Sequence, residues 1–165
     1  MSHGFQGEKT MSTNQNGNTK ELSLESVNAK SGHGGAFGLG LPNDAYARYF
    51  EGQSYLHPLT PSDCPLALAN VTFEPGCSNN WHIHHAVSGG GQLLICVDGT
   101  GWYQEWGQPA RKLKPGDIVV IPANVKHWHG ASRESWFSHL ACEIPGTDTS
   151  TEWCEPVSDK EYNAL

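Results

Sequence analysis

Nine histidines occur in the 165-residue chain, and five of them fall where strands would place them, four at a spacing that chemistry can use. His82 and His84 flank Ile83. On a β-strand, alternation sends both imidazoles to one face two residues apart, which makes them a chelating pair. The same spacing returns at His127-Trp128-His129 beside a proline-bounded apolar run, and His139 lies inside Phe137-Ser138-His139-Leu140-Ala141. A neutral imidazole taken into a core still needs hydrogen-bond partners, so five of them make poor core filler. A divalent metal ion would supply the missing partner. Nucleophilic catalysis is disfavoured, since no GxSxG elbow is present and no cysteine has a recognisable activating neighbour.

Positioning those rings requires short strands. From Leu66 onward the apolar period is two, in LALANVTFEPG, NWHIHH, GQLLICVDG, GWYQEWG, DIVVIP, KHWHGAS and WFSHLACEI, separated by Gly, Pro, Asn and Asp. Seven such segments predict an all-β sandwich or barrel. Asp98-Gly99-Thr100-Gly101 carries a hairpin signal, and Trp106-Gly107-Gln108-Pro109 reads as a second turn. Ser158 and Glu161 match a capping box that predicts a short C-terminal helix. Upstream, Tyr55 to Leu59 predicts an opening strand at the barrel edge, and Gly32 to Gly40 reads as a flexible connector because it lacks the GK[ST] of a phosphate loop. The expected organisation is a mobile polar tail over 1–30, an arm with an edge strand over 31–60, and one barrel over 61–165, with no internal repeat.

Length and charge narrow the partners. One domain of this size buries a core without disulfides, and five cysteines with no CxxC pair read as reduced thiols. A net charge of -7 argues against a nucleic-acid partner, which would require a basic stripe. The chain shows neither a signal-peptide pattern nor the roughly 20 apolar residues of a membrane span, so no membrane partner and a cytoplasmic location are expected.

The residues from about 55 to 160 resemble the cupin family. Its first motif is matched by Gly76, His82, His84, Gln92 and Gly99, and its second by Gly116, Pro122, Asn124 and His127. The resemblance implies a double-stranded β-helix, or jelly-roll, barrel with a short C-terminal helix, and one divalent metal ion per chain on His82, His84, Gln92 and His127. Gln92 stands where the family usually has Glu, Asn124 where it has Gly, and Ala131 where it has Asn. Asn tolerates the left-handed backbone that the turn needs. The His85 to Gly91 loop is longer than usual, so Gln92 reads either as a ligand or as a strand-start residue bonded to its own loop. With neutral ligands only, the metal would be a strong Lewis acid. Donor type alone admits Mn, Fe, Co, Ni or Zn.

A narrower resemblance runs through VTFEPG, NNWHIHH, GGGQ, GTGWYQEWG, LKPGDIVVIP, KHWHGA, SHLACE and EWCEPVSDKEY. These segments are similar to the small cupins that include manganese-dependent (R)-selective hydroxynitrile lyases and the cupins associated with carboxymuconolactone decarboxylases. That resemblance implies manganese first, a small-molecule substrate, and general acid/base roles for His129 and His139. The strand rise places His129 about 6 to 7 Å beyond His127, outside a shared coordination shell on a regular strand and within reach of a bound substrate. The reading is a metal-dependent lyase on small carbonyl or hydroxynitrile-type compounds. An iron-dependent dioxygenase and a non-catalytic metal- or small-molecule-binding module are the alternatives. The expected assembly is a homodimer or homotetramer, with apolar residues between Tyr49 and Leu59 covering a neighbour's sheet.

Overall fold

The computed structural model describes residues 32–165, and the predicted tail over 1–30 lies outside them. Fifteen strands run in chain order. They are β1 (Leu41–Pro42), β2 (Phe50–Glu51), β3 (Ser54–Pro58), β4 (Leu68–Phe73), β5 (Ser78–Asn79), β6 (His82–His85), β7 (Ser88–Gly89) and β8 (Gly91–Gly99). There follow β9 (Gly101–Glu105), β10 (Arg111–Leu113), β11 (Ile118–Pro122), β12 (Lys126–Ala131), β13 (Phe137–Glu143), β14 (Gly146–Thr147) and β15 (Ser150–Trp153). A short helix, α1 (Asp159–Tyr162), closes the chain behind the capping box formed by Ser158 and Glu161.

The strands form two large antiparallel sheets, and β7 and β14 pair as a separate two-stranded one. The first has the order β1-β3-β4-β13-β8-β11. In the second, β12 is the hub: it pairs β9 along one side, and β5 and β6 along the other, with β10 beyond β9, β2 beyond β5 and β15 beyond β6. The two sheets face each other as a jelly-roll barrel, and Phe73, Leu94, Ile121, Leu113 and Phe137 are fully buried between them. All seven segments of two-residue period appear as strands, and the opening strand appears as β3.

Period two explains which side chains enter the barrel. Along β11 burial alternates strictly, with Val119 and Ile121 inside and Ile118 and Val120 outside. On β12 both faces are covered: His127 and His129 point inward, while Trp128 packs outside with Trp81, Val157 and Tyr162 of α1.

Two expectations change. The Asp98 to Gly101 turn is no hairpin, because β8 pairs with β11 and β13 whereas β9 pairs with β10 and β12. The turn carries the chain from one sheet to the other. Gly99 has φ +65°, and a Cβ there would lie 1.7 Å from the Trp136 carbonyl oxygen. The Trp106 to Pro109 turn does join a true hairpin, β9 with β10. The glycine-rich segment read as a flexible connector is pinned: Asn70 Nδ2 donates to the carbonyls of Gly34 and Gly38 at 2.9 and 2.8 Å, and the Gly34 N–H donates to Asp98. Asn124 adopts φ +66°, as its place in the second motif predicts.

Candidate metal centre

Register brings the histidines to one end of the barrel interior. His82 of β6 lies directly opposite His127 of β12, and their ring centroids are 4.1 Å apart. His84 follows on the same face of β6, with centroids 5.1 Å from His82 and 5.5 Å from His127. Gln92, the second residue of β8, is buried. His129 is stacked 6.1 Å beyond His127, close to the distance that strand rise predicts. The ring nitrogens come closer than the centroids: donor atoms of His82, His127 and His129 all lie within 4.8 Å of one another, which brings His129 within reach of a shared ion.

The hydrogen bonds fix which nitrogens are free. His82 Nδ1 and His127 Nδ1 each sit 2.9 Å from a backbone carbonyl oxygen, of Asn80 and Val125 respectively. A carbonyl only accepts, so both rings carry their proton on Nδ1 and keep the Nε2 lone pair for a ligand. His127 Nε2, His84 Nε2 and the Gln92 Oε1 carbonyl oxygen are buried without a hydrogen-bond partner among the described residues. Several orphaned acceptors on one constellation are costly unless something outside the protein satisfies them. A divalent metal ion bound by nitrogen and oxygen donors fits that requirement.

Behind these groups stand residues that spacing did not single out. Glu143 ends β13 opposite Gln92; its carboxylate accepts from Gln92 Nε2 at 3.3 Å and lies 3.8 Å from His84 Nδ1. Thr151 and Trp153 come from β15, whose register sets them against His84 and His82. Thr151 Oγ1 is 3.3 Å from His84 Nδ1, and the Trp153 indole lies 4.8 Å from the His82 ring. The segment containing β15 has no period-two apolar pattern, so only its place beside β6 in the folded sheet gives it a role.

His129 and His139 are joined, with His139 Nε2 lying 3.0 Å from His129 Nδ1. The Asn79 side chain accepts from the His129 backbone N–H at 2.9 Å and sets its amide nitrogen 3.1 Å from Nε2. Phe73 packs against both rings, 5.8 Å from His129 and 5.6 Å from His139. Burial is the main reason all five imidazoles resist protonation: His127 and His139 are pushed down to about 4, His82 and His129 fall well below the usual histidine value, and His84 is lowered by burial against the opposing pull of Glu143. Near neutral pH the cluster therefore presents uncharged rings, the form that binds a metal or accepts a proton.

Comparison with known proteins agrees with this architecture. The family described as the cupin domain matches residues 69–135. An (R)-mandelonitrile lyase from Granulicella tundricola is 37% identical over 118 residues, which span 70% of this chain and 87% of that protein. The crystal structure of a cupin-like protein from Thermotoga maritima superposes with a TM-score of 0.68 at 36% identity, covering 78% of this chain and 95% of the other. A cupin-2 domain from Rhodospirillum rubrum shares the fold at a TM-score of 0.51 and 15% identity, over 71% of this chain and 73% of its own.

Proposed function

Because the chain belongs to the cupin family, we propose that it is a metal-dependent lyase acting on small carbonyl or hydroxynitrile-type compounds. In this reading one divalent metal ion sits on His82, His84, Gln92 and His127, while His129 and His139 move the proton. The observation that carries it is the set of buried, unpartnered acceptors, His84 Nε2, Gln92 Oε1 and His127 Nε2, beside a hydrogen-bonded pair of neutral imidazoles. The identity to a mandelonitrile lyase supports the reaction class.

When bound, the metal supplies Lewis-acid stabilisation of negative charge on a substrate oxygen. The remaining steps belong to the chain. Held uncharged by burial, His129 accepts the proton of the substrate hydroxyl at Nε2, in exchange for the Asn79 amide contact there. The carbon–carbon bond to the nitrile then breaks, its electron pair leaves on cyanide, and the carbonyl forms; the proton is returned to cyanide as hydrogen cyanide. His139, 3.0 Å away, shares the added charge through its hydrogen bond to the His129 ring, and Asn79 holds that ring in place. Phe73, Tyr103 and Trp153 give the cluster apolar walls that exclude water.

Metal-loaded protein given (R)-mandelonitrile should release benzaldehyde without consuming oxygen. Oxygen uptake would replace the lyase with a dioxygenase. Retained metal with no turnover across a panel of cyanohydrins and small carbonyl compounds would leave a binding module. Elemental analysis of untagged protein should find about one metal per chain, with manganese expected first and Fe, Ni, Co or Zn as alternatives.

A further inference from the structure

Outside the barrel, the residue before β6, the β9–β10 turn and the C-terminal helix frame a second site. A cleft of about 350 Å³ on the outer face of the second sheet is lined by Trp81, Gln104, Trp106, Gly107, Gln108 and Glu161. This lies at the lower end of the size range for small-molecule pockets. Trp81 is 2% exposed, and Trp106 stands edge-to-face against it, with ring centroids 4.9 Å apart at 77°. Trp106 itself is 56% exposed although it is the largest side chain of the β9–β10 turn.

We propose that this cleft binds a neutral, polyhydroxylated ring of the pyranose type, stacked on Trp106 and hydrogen-bonded to Gln108 and Glu161. The charges present select that chemistry. One face of the Trp106 ring is already occupied by a cation, since Lys126 Nζ sits 3.9 Å from its centroid and is ion-paired with Glu155. A cationic ligand would meet that ammonium, and an anionic one would meet the Glu161 carboxylate that lines the cleft. An uncharged ring with polarised C–H bonds on its flat face suits the electron-rich indole.

The polar groups left over match a polyol. Gln104 is spent, its Oε1 accepting from Trp128 Nε1 at 2.9 Å and its Nε2 donating to the Gln108 carbonyl at 2.8 Å. Those bonds hold the turn that carries Trp106 and Gln108. Glu161 Oε2 accepts from the Ser158 hydroxyl and N–H, which fixes the carboxylate and leaves Oε1 as an acceptor. The Gln108 side chain makes no hydrogen bond among the described residues, so its amide offers one donor group and one acceptor to neighbouring hydroxyls. At Gly107 a Cβ would meet nothing within 4 Å, so this position of the turn faces open space. This site is independent of the histidine cluster.

The test follows the indole N–H resonances of Trp81 and Trp106 in the metal-loaded protein during titration with methyl β-D-glucopyranoside and methyl β-D-galactopyranoside. Tetramethylammonium and acetate serve as charged controls. At least one glycoside should give a saturable shift in the millimolar range, weakened about tenfold or more in Trp106→Ala and in Gln108→Ala. Both variants should keep the parent metal content and Gln108→Ala the parent melting temperature, while Trp106→Ala gives up its contacts with Trp81 and Lys126 and is compared at a temperature where it is fully folded. No saturable shift from either glycoside, equal affinity in both variants, or saturation by tetramethylammonium alone would overturn the assignment.

Discussion

At the residue scale, the exchange of Glu for Gln at position 92 relocates a negative charge. The carboxylate stands one hydrogen bond further out, on Glu143, where it receives Gln92 Nε2 and lies near His84 Nδ1. From there it aims the Gln92 carbonyl oxygen and the His84 Nε2 lone pair at the same space. Residues that orient metal ligands typically govern affinity by about 10- to 100-fold. Glu143→Ala should therefore weaken metal binding by about that factor in competition with a calibrated chelator, while the fold stays intact because Glu143 is half-exposed. Unchanged affinity would leave Gln92 as a strand-start residue. The His129 and His139 pair is tested by turnover: alanine at either position should lower the rate by about 10²- to 10⁴-fold. Metal content should stay near that of the parent protein. Loss of metal from His129→Ala would instead place that ring, whose donor atom lies within 4.8 Å of those of His82 and His127, in the ligand set.

At the element scale, what was legible in the sequence is what alternation encodes. His82, His84, His127 and His129 lie at two-residue spacings on strands whose own residues set their facing, so their common interior was readable before any fold was known. Thr151, Trp153 and Glu143 were not, because their roles depend on cross-strand register, which no local pattern specifies. The Asp98 to Gly101 turn failed for a related reason: Asp-Gly signals a tight reversal but not which strands will pair across it. In the fold it changes sheets, passing so close under Trp136 that Gly99 leaves no room for a Cβ. Gly99→Ala combines a left-handed backbone with a backbone clash, and it should cost about 2 to 4 kcal/mol. At about 2 to 4 °C per kcal/mol for a chain of this length, the melting temperature should fall by roughly 5 to 15 °C. A drop under about 2 °C would show that the turn can shift without repacking.

At the scale of the whole molecule, two surfaces decide behaviour in solution, one on the outside of the first sheet and one in the interior. On the outside, the strand β11 is a sheet edge that exposes Ile118 at 54% and Val120 at 64%, continuous with Leu93 and Ile95 of its neighbour β8. Residues between Tyr49 and Leu59, expected to cover a neighbour's sheet, also serve the chain's own fold: β3 lies between β1 and β4, and Phe50 packs on the core. We propose that the apolar β11 edge pairs with a second copy; Ile118→Lys with Val120→Glu should then lower the mass seen in light scattering to that of a single chain. In the interior, the metal-free protein holds five buried imidazoles whose protonation the fold opposes. Unfolded histidines titrate near 6.5, while His127 and His139 in the fold titrate at about 4. Between those values the unfolded chain binds more protons than the native one, so stability is full above about pH 6.5 and falls as the pH drops toward 4. Urea midpoints of chelator-treated protein should decline across that window. In His139→Ala, which removes one such ring without touching the proposed ligands, the decline should be shallower. A midpoint independent of pH from 6.5 to 4 would mean that the folded barrel accepts protons on these rings as readily as water does.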